Sequence, residues 1–250
     1  MILEYHRPTN PEEAYALMQR TEPPTYALAG GSQLVKNHTG HIAVVDLQDL
    51  GWDAIDMEGN ILLAGATVRL SDLVHSDPCP AALKDAILRD VSENQRNQGT
   101  LGGSIVSGDG RSTLLTALLA MDARLRWQPE DEETAIGNYL PLRGHWNRSR
   151  LLQRVKIPTS AKLSFETVAR TPADRPVLIV AIAQWPSGRT RVALGGTGQA
   201  PILALDGPDA TGAAFAARDA YLEAGDDWAS AAYRSQTAFA LANHLLKKGN

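Results

Sequence analysis

Two glycine pairs, each set where a strand is expected to end, restrict this chain more than any other feature: Ala29-Gly30-Gly31-Ser32 and Gly99-Thr100-Leu101-Gly102-Gly103-Ser104. The first follows the short apolar run 25–28, and a double glycine there lets the backbone turn through positive φ with no side chain in the way of a ligand. Successive bare N–H groups in such a turn form a concave nest that binds an anion without any lysine, and Ser32 and Thr100 add hydroxyl donors. An ordinary tight turn explains one Gly-Gly pair, and neither pair matches the G-x-G-x-x-G fingerprint. Two pairs, each beside a hydroxyl residue, read as two backbone cradles around one phosphate-bearing ligand.

Local signals organise the rest of the chain. In Asn10-Pro11-Glu12-Glu13 the asparagine caps, proline takes the first helical position and Glu13 completes a capping box, so a helix is expected to about Arg20. The runs 42–47 and 61–66 read as strands with a hairpin turn over 56–60, and 67–76 and 81–93 read as helices. An apolar helix over 112–121 starts just after the second glycine loop, where its positive end favours phosphate. Asp109 reads either as a ligand to a ribose hydroxyl or as the cap of that helix. The segment 129–133 reads as an acidic solvated loop.

A second domain begins near Ser160, with strands over 163–169, 177–185 and 190–194 in a meander. The turn 195–198 precedes no helix and reads as structural rather than as a third phosphate loop. Helices over 213–222 and 229–247 close the chain, with Tyr233, Phe239 and Leu245 expected in the core. The strand-and-helix alternation makes the N-terminal part an α/β or α+β nucleotide-binding unit, and the chain as a whole is expected to be α+β.

Composition excludes several classes. With 250 residues and 44% hydrophobic content, the chain can bury a substantial core and is long enough for two modest domains. A net charge of −4 leaves no electrostatic footprint for nucleic acid or an anionic membrane. No segment reaches the roughly 18 apolar residues of a spanning helix, and 1–6 is not a signal sequence, so a cytoplasmic protein without membrane insertion is expected. The six histidines fall into no zinc-ligand spacing, and no G-x-S-x-G elbow is present. No acid, base or nucleophile stands out, which suits a protein whose cofactor does the chemistry.

The residues resemble a known family. Ala29-Gly30-Gly31-Ser32-Gln33-Leu34 is similar to the first flavin loop, and the stretch from Arg96 to Asp109 to the second, in the FAD-binding medium subunits of molybdenum hydroxylases, the group of carbon monoxide, xanthine and nicotinate dehydrogenases. The likeness opens at 3–8, continues through 118–123 and resumes at 165–170, 192–196 and 232–234. It implies a two-part PCMH-type FAD-binding domain over 1–157, followed over 158–250 by a small antiparallel sheet with helices, the C-terminal flavoprotein domain of carbon monoxide dehydrogenase type. FAD would be held by Ala29, Gly30, Gly31, Ser32, Gln33, Leu34, Thr100, Gly102, Gly103, Ser104 and Asp109, the last at the ribose or the flavin edge.

The same resemblance implies an electron-transfer oxidoreductase subunit. Its partners would be a molybdopterin-binding large subunit and a small subunit with two 2Fe–2S clusters, with NAD, oxygen or a quinone-linked compound as acceptor. Such clusters need several thiolates, whereas Cys79 is the single cysteine and sits in a proline-bounded turn, so this chain holds none itself. Neither a catalytic residue nor a metal ligand is assigned to it. The chain departs from the family at Gly110-Arg111-Ser112-Thr113, at Thr167 in place of a lysine, and at Arg175 in place of an aromatic, the last two being positions near the flavin ring in relatives. Arg111 reads either as a phosphate partner or as an unbonded surface residue. The alternative reading is a non-catalytic scaffold of the same fold that has lost FAD; a stand-alone flavin oxidase would need a substrate-facing acid or base that is not found.

Overall fold

The computed structural model describes residues 1–32, 40–145, 150–171 and 174–249. They fall into two units that interleave along the chain: unit 1 is Met1–Cys79, Val91–Ser107 and Arg124–Lys156, and unit 2 is Pro80–Asp90, Gly108–Ala123 and Ile157–Asn250.

Unit 1 begins with three parallel strands in the order β1-β3-β2, formed by β1 (Ile2–His6), β2 (Thr25–Leu28) and β3 (Ile42–Asp46). The central β3 is apolar at four successive positions and buried along its whole length, as a strand flanked on both sides requires. Helix α1 (Pro11–Met18) starts with the expected cap and proline, Asn10 Oδ1 accepting the Glu13 N–H at 2.9 Å and Pro11 in the first turn, but among the described residues the Glu13 side chain makes no return bond to complete a capping box. Its buried face, Ala14, Tyr15 and Met18, packs with Val45, Leu47, Leu50, Trp52 and Leu151.

The second sheet of unit 1 has the order β4-β5-β8-β6-β7. Its strands are β4 (Ile55–Glu58), β5 (Ile61–Gly65), β6 (Arg124–Gln128), β7 (Glu132–Ala135) and β8 (Leu151–Pro158), whose last two residues count with unit 2. The hairpin turn between β4 and β5 is tighter than the sequence suggests, because Asp56, Met57 and Glu58 continue the strand and Gly59 takes the left-handed conformation at φ 57°. The acidic segment 129–133 is not a free loop. It forms the tip of the β6–β7 hairpin and the start of β7, and its carboxylates are taken up by cations: Asp131 by Arg126 at 2.5 Å, Glu130 by Arg150 at 3.1 Å, Glu133 by Lys156 at 2.5 Å, and Glu132 by Arg150. Short helices α2 (Leu70–His75), α4 (Glu93–Gln98), α5 (Leu101–Ser107) and α7 (Ile136–Leu142) complete the unit.

Unit 2 is built on an antiparallel sheet of order β12-β11-β10-β9, made of β9 (Lys162–Val168), β10 (Leu178–Gln184), β11 (Thr190–Gly195) and β12 (Ile202–Gly207). Three of these match the expected meander; β12 is an additional strand. Leu178, Val180 and Ile182 of β10 and Val192 and Leu194 of β11 face a layer formed by α8 (Ala213–Asp219) and α9 (Ala231–Gly249), whose Ala213, Ala217, Ala238 and Ala242 allow close approach. Ile179, Ala181 and Ala183 alternate to the other face and are also fully buried, and α6 (Thr113–Ala120) packs on β10 and β11. All eight residues of α6 are buried, and α3 (Ala81–Asp90) packs against it. Phe239 and Leu245 join this core, but Tyr233 does not: it stands in the first turn of α9 with 47% of its surface exposed. The helix expected over 81–93 ends at Asp90, and α4 begins afresh after the Ser92–Gln95 capping box.

Candidate cofactor site

The first glycine loop leaves β2 where the Leu47 N–H donates to Leu28 O at 2.8 Å, the last bond of that ladder. Gly31 adopts φ 70°, which lets the chain reverse. The Gln48 side-chain amide donates to Ala29 O at 3.2 Å and fixes the entrance of the loop. Among the described residues, no acceptor takes the N–H groups of Gly30, Gly31 or Ser32. Among the described residues these amides, of half-buried Gly30, Gly31 and Ser32, are therefore open donors. Gln33 and Leu34 lie outside the described residues.

The second glycine pair does not follow a strand end as expected: it leaves helix α4, which Gly99 N–H closes by donating to Gln95 O at 2.7 Å, and Gly102 and Gly103 themselves lie in helix α5. Gly99 to Leu101 then runs antiparallel to the segment after β5: Leu70 N–H donates to Gly99 O at 3.0 Å and Leu101 N–H to Val68 O at 2.9 Å, with Arg69 directly opposite Thr100. Thr100 is buried, its hydroxyl accepts the Gly103 N–H at 3.2 Å, and among the described residues nothing accepts its own N–H.

The other expected donors of this loop are engaged inside unit 1. Gly102 N–H donates to Ala66 O at 2.8 Å, and Ser104 N–H and Oγ donate to Thr100 O at 2.9 and 3.0 Å. Gly102 is required by packing, since a β-carbon on it would meet Ala66 Cβ and O at 2.8 Å. Gly103 is exposed on α5.

The two loops meet. A β-carbon on Gly30 would lie 2.1 Å from Gln98 O and 3.0 Å from Gly99 Cα, so 29–32 and 98–100 form one backbone surface. The partners that sequence reasoning missed are Gln98 and the segment 66–70, which carries the second loop; the signal for the latter was the turn following β5.

Asp109 belongs to unit 2, where Ser112 rather than Asp109 caps α6, accepting the Leu115 N–H at 3.0 Å. Burial pushes the Asp109 carboxyl up, but the Arg175 guanidinium at 2.8 Å and the Arg111 N–H at 2.9 Å outweigh it and hold the group below the usual carboxylate range. Arg111 follows neither sequence reading. It donates to the carbonyls of Pro176 at 2.9 Å and Arg175 at 2.7 Å and stacks on Trp228 at 4.6 Å, with Arg170 over the same ring at 4.9 Å. Gly110 is clamped by the 195–198 turn, its N–H donating to Gly198 O at 3.1 Å and its carbonyl accepting the Gly196 N–H at 2.6 Å. That turn is structural, as expected. Thr167 lies on β9 opposite Ile179 of β10.

Residues 1–160 match the family model described as the FAD binding domain in molybdopterin dehydrogenase. The chain belongs to this family. The α+β fold, the oxidoreductase class and the FAD cofactor expected above are those of the FAD-binding domains of molybdopterin dehydrogenases. Among its relatives is the uncharacterized protein YgfM of Escherichia coli, 33% identical over 199 residues that span 78% of this chain and 75% of that protein. The carbon monoxide dehydrogenase medium chain of Afipia carboxidovorans is 32% identical over 117 residues, 42% of this chain and 40% of that one. In three dimensions the chain is similar to a chain of reconstituted carbon monoxide dehydrogenase from Oligotropha carboxidovorans, with a TM-score of 0.80 at 24% identity, covering 98% of this chain and 96% of that one. Among the described residues, no helix is long and apolar enough to cross a membrane.

Proposed function

We propose that this chain is the electron-transfer subunit of a cytoplasmic molybdenum hydroxylase complex, carrying electrons from a partner's iron–sulfur clusters to an external acceptor such as NAD. The partners would be a molybdopterin-binding large subunit and a small subunit with two 2Fe–2S clusters. The observation that carries the reading is the junction of Gly30 with Gln98 and Gly99, which joins four open backbone donors, those of Gly30, Gly31, Ser32 and Thr100, on one surface.

That surface fits an anionic diphosphate. Bare amides in succession attract negative charge, and the glycines leave no side chain over them. Ala29 to Ser32, with Gln33 and Leu34 next in the sequence, would hold the diphosphate from one side and Thr100 from the other. Gly102, Gly103 and Ser104 would act by setting the position of Thr100. Bound FAD supplies reversible acceptance and release of electrons, while the chain binds, orients and shields it. The domain reading, 1–157 for FAD and 158–250 for the C-terminal flavoprotein domain, belongs to the same proposal.

The test is an absorbance spectrum of the purified full chain and of the complex it is isolated with, and measurement of FAD released on denaturation. Stoichiometric FAD and a cysteine-rich small chain bearing iron–sulfur clusters support the proposal. A chain that stays colourless after incubation with FAD overturns it.

A further inference from the structure

Arg69 is exposed at the start of α2, makes no capping bond to that helix, and pairs with no carboxylate among the described residues. Its nearest acidic neighbour along the helix, Asp72, receives the Ser71 hydroxyl at 3.3 Å. An unpartnered guanidinium is common on a surface; its place here is not arbitrary. The bonds Leu70 N–H to Gly99 O and Leu101 N–H to Val68 O flank it and make Arg69 and Thr100 a directly opposed antiparallel pair. In such a pair the Cα atoms stand about 4.5 Å apart and both side chains leave on the same face. Arg69 is thereby tied by backbone to the loop residue whose own N–H is open among the described residues, two residues on from Gln98, against whose carbonyl Gly30 packs.

The open amides contribute only partial charges, whereas a diphosphate carries about two full negative charges. Within 29–32, 66–70 and 96–104 the cationic side chains are Arg69 and Arg96, and Arg96 is turned to Val91 O at 2.6 Å. We infer that Arg69 is the side chain that recognises the diphosphate of the bound dinucleotide, so that this site selects FAD and ADP over riboflavin. The inference rests on the cofactor-site reading above and names the residue that gives it selectivity. A guanidinium forms paired, charge-assisted bonds to phosphate oxygens that a lysine reproduces only in part.

The experiment titrates the flavin-free full chain with FAD, with ADP and with riboflavin, by flavin fluorescence and calorimetry, at low and high salt. Wild type is compared with Arg69→Ala and Arg69→Lys. Arg69→Ala is expected to weaken FAD and ADP by about tenfold or more and to flatten their salt dependence, with riboflavin unchanged and Arg69→Lys intermediate. Binding of FAD and ADP within about twofold of wild type by Arg69→Ala overturns the inference while leaving the site reading intact. An equal loss of riboflavin, or a lowered melting temperature, assigns Arg69 a structural role and overturns it as well. If wild type itself takes up neither FAD nor ADP, the site reading fails and the inference falls with it.

Discussion

Gly30 stands so close to Gln98 that a β-carbon on it would lie 2.1 Å from the Gln98 carbonyl oxygen. No side chain other than hydrogen fits that gap without parting the two loops. Gly30→Ala is therefore expected to cost at least tenfold in FAD affinity, roughly 1.4 kcal/mol or more. The flavin-to-protein ratio of the purified variant measures it, and a ratio equal to wild type would show that the junction does not matter for binding.

Gly102 and Gly103 are adjacent yet should respond differently to alanine. At Gly102 the new methyl meets Ala66 backbone and side chain at 2.8 Å, an overpacking expected to cost about 1–3 kcal/mol of stability. At Gly103, exposed on α5, it meets only the Thr100 hydroxyl at 3.0 Å, and the gain in helix propensity offsets that contact to within about 0.5 kcal/mol. Urea unfolding of Gly102→Ala and Gly103→Ala checks the contrast.

Arg191 has 5% of its side chain exposed and is neutralised by Asp122 at 2.9 Å and Asp206 at 2.7 Å. Asp122 also receives Arg189 at 3.0 Å and sits in the left-handed region at φ 59°. Asp122→Asn keeps a residue type suited to that backbone but removes the charge, leaving Arg191 under-compensated, and is expected to destabilise by about 2–4 kcal/mol. A melting temperature unchanged from wild type would refute the role of the pair.

Asp226 carries a pH dependence. Burial opposes its ionisation, but Arg234 at 2.8 Å and the N–H groups of Trp228 at 2.9 Å and Ala229 at 3.1 Å hold its carboxyl down to about 2, from 3.8 in the unfolded chain. The folded pKa is the lower one, so the stabilisation is present above about pH 4 and lost as pH falls toward 2, roughly 1–2 kcal/mol after allowance for solvent screening. Asp226→Asn should be less stable than wild type at pH 6, and the difference should shrink near pH 2.5. Unfolding curves at the two pH values test this; a gap that widens in acid would contradict it.

What could be read in advance was written in neighbouring residues. Asn10 and Pro11 start α1 and Ser112 begins α6 because a cap needs only the next turn of chain. The apolar β3 and β10, and the apolar second half of β11 at 192–194, were legible because a strand covered on both faces is largely apolar. By contrast β6 and β7 carry Arg124, Arg126, Glu132 and Glu133, charges that look like solvated loop until the cross-strand ion pairs that hold them are known. Tyr233 was misplaced because a three-to-four-residue periodicity says which residues share a helix face, not how far along the helix that face stays covered.

The sequence by itself determined the first glycine turn, the family the two glycine pairs belong to and the absence of thiols for a cluster, since each depends on residue identity over a short span, whereas Gly102 and Gly103 prove to lie in helix α5. Only the tertiary structure decided which amides remain open. Gly102, Gly103 and Ser104 have their N–H groups bonded to Ala66 and Thr100, while Gly30, Gly31, Ser32 and Thr100 keep theirs among the described residues. The reason is that a backbone donor is spent or spared by whatever carbonyl the fold carries to it. Arg111, likewise, was settled by carbonyls of Arg175 and Pro176 that no local pattern could have supplied.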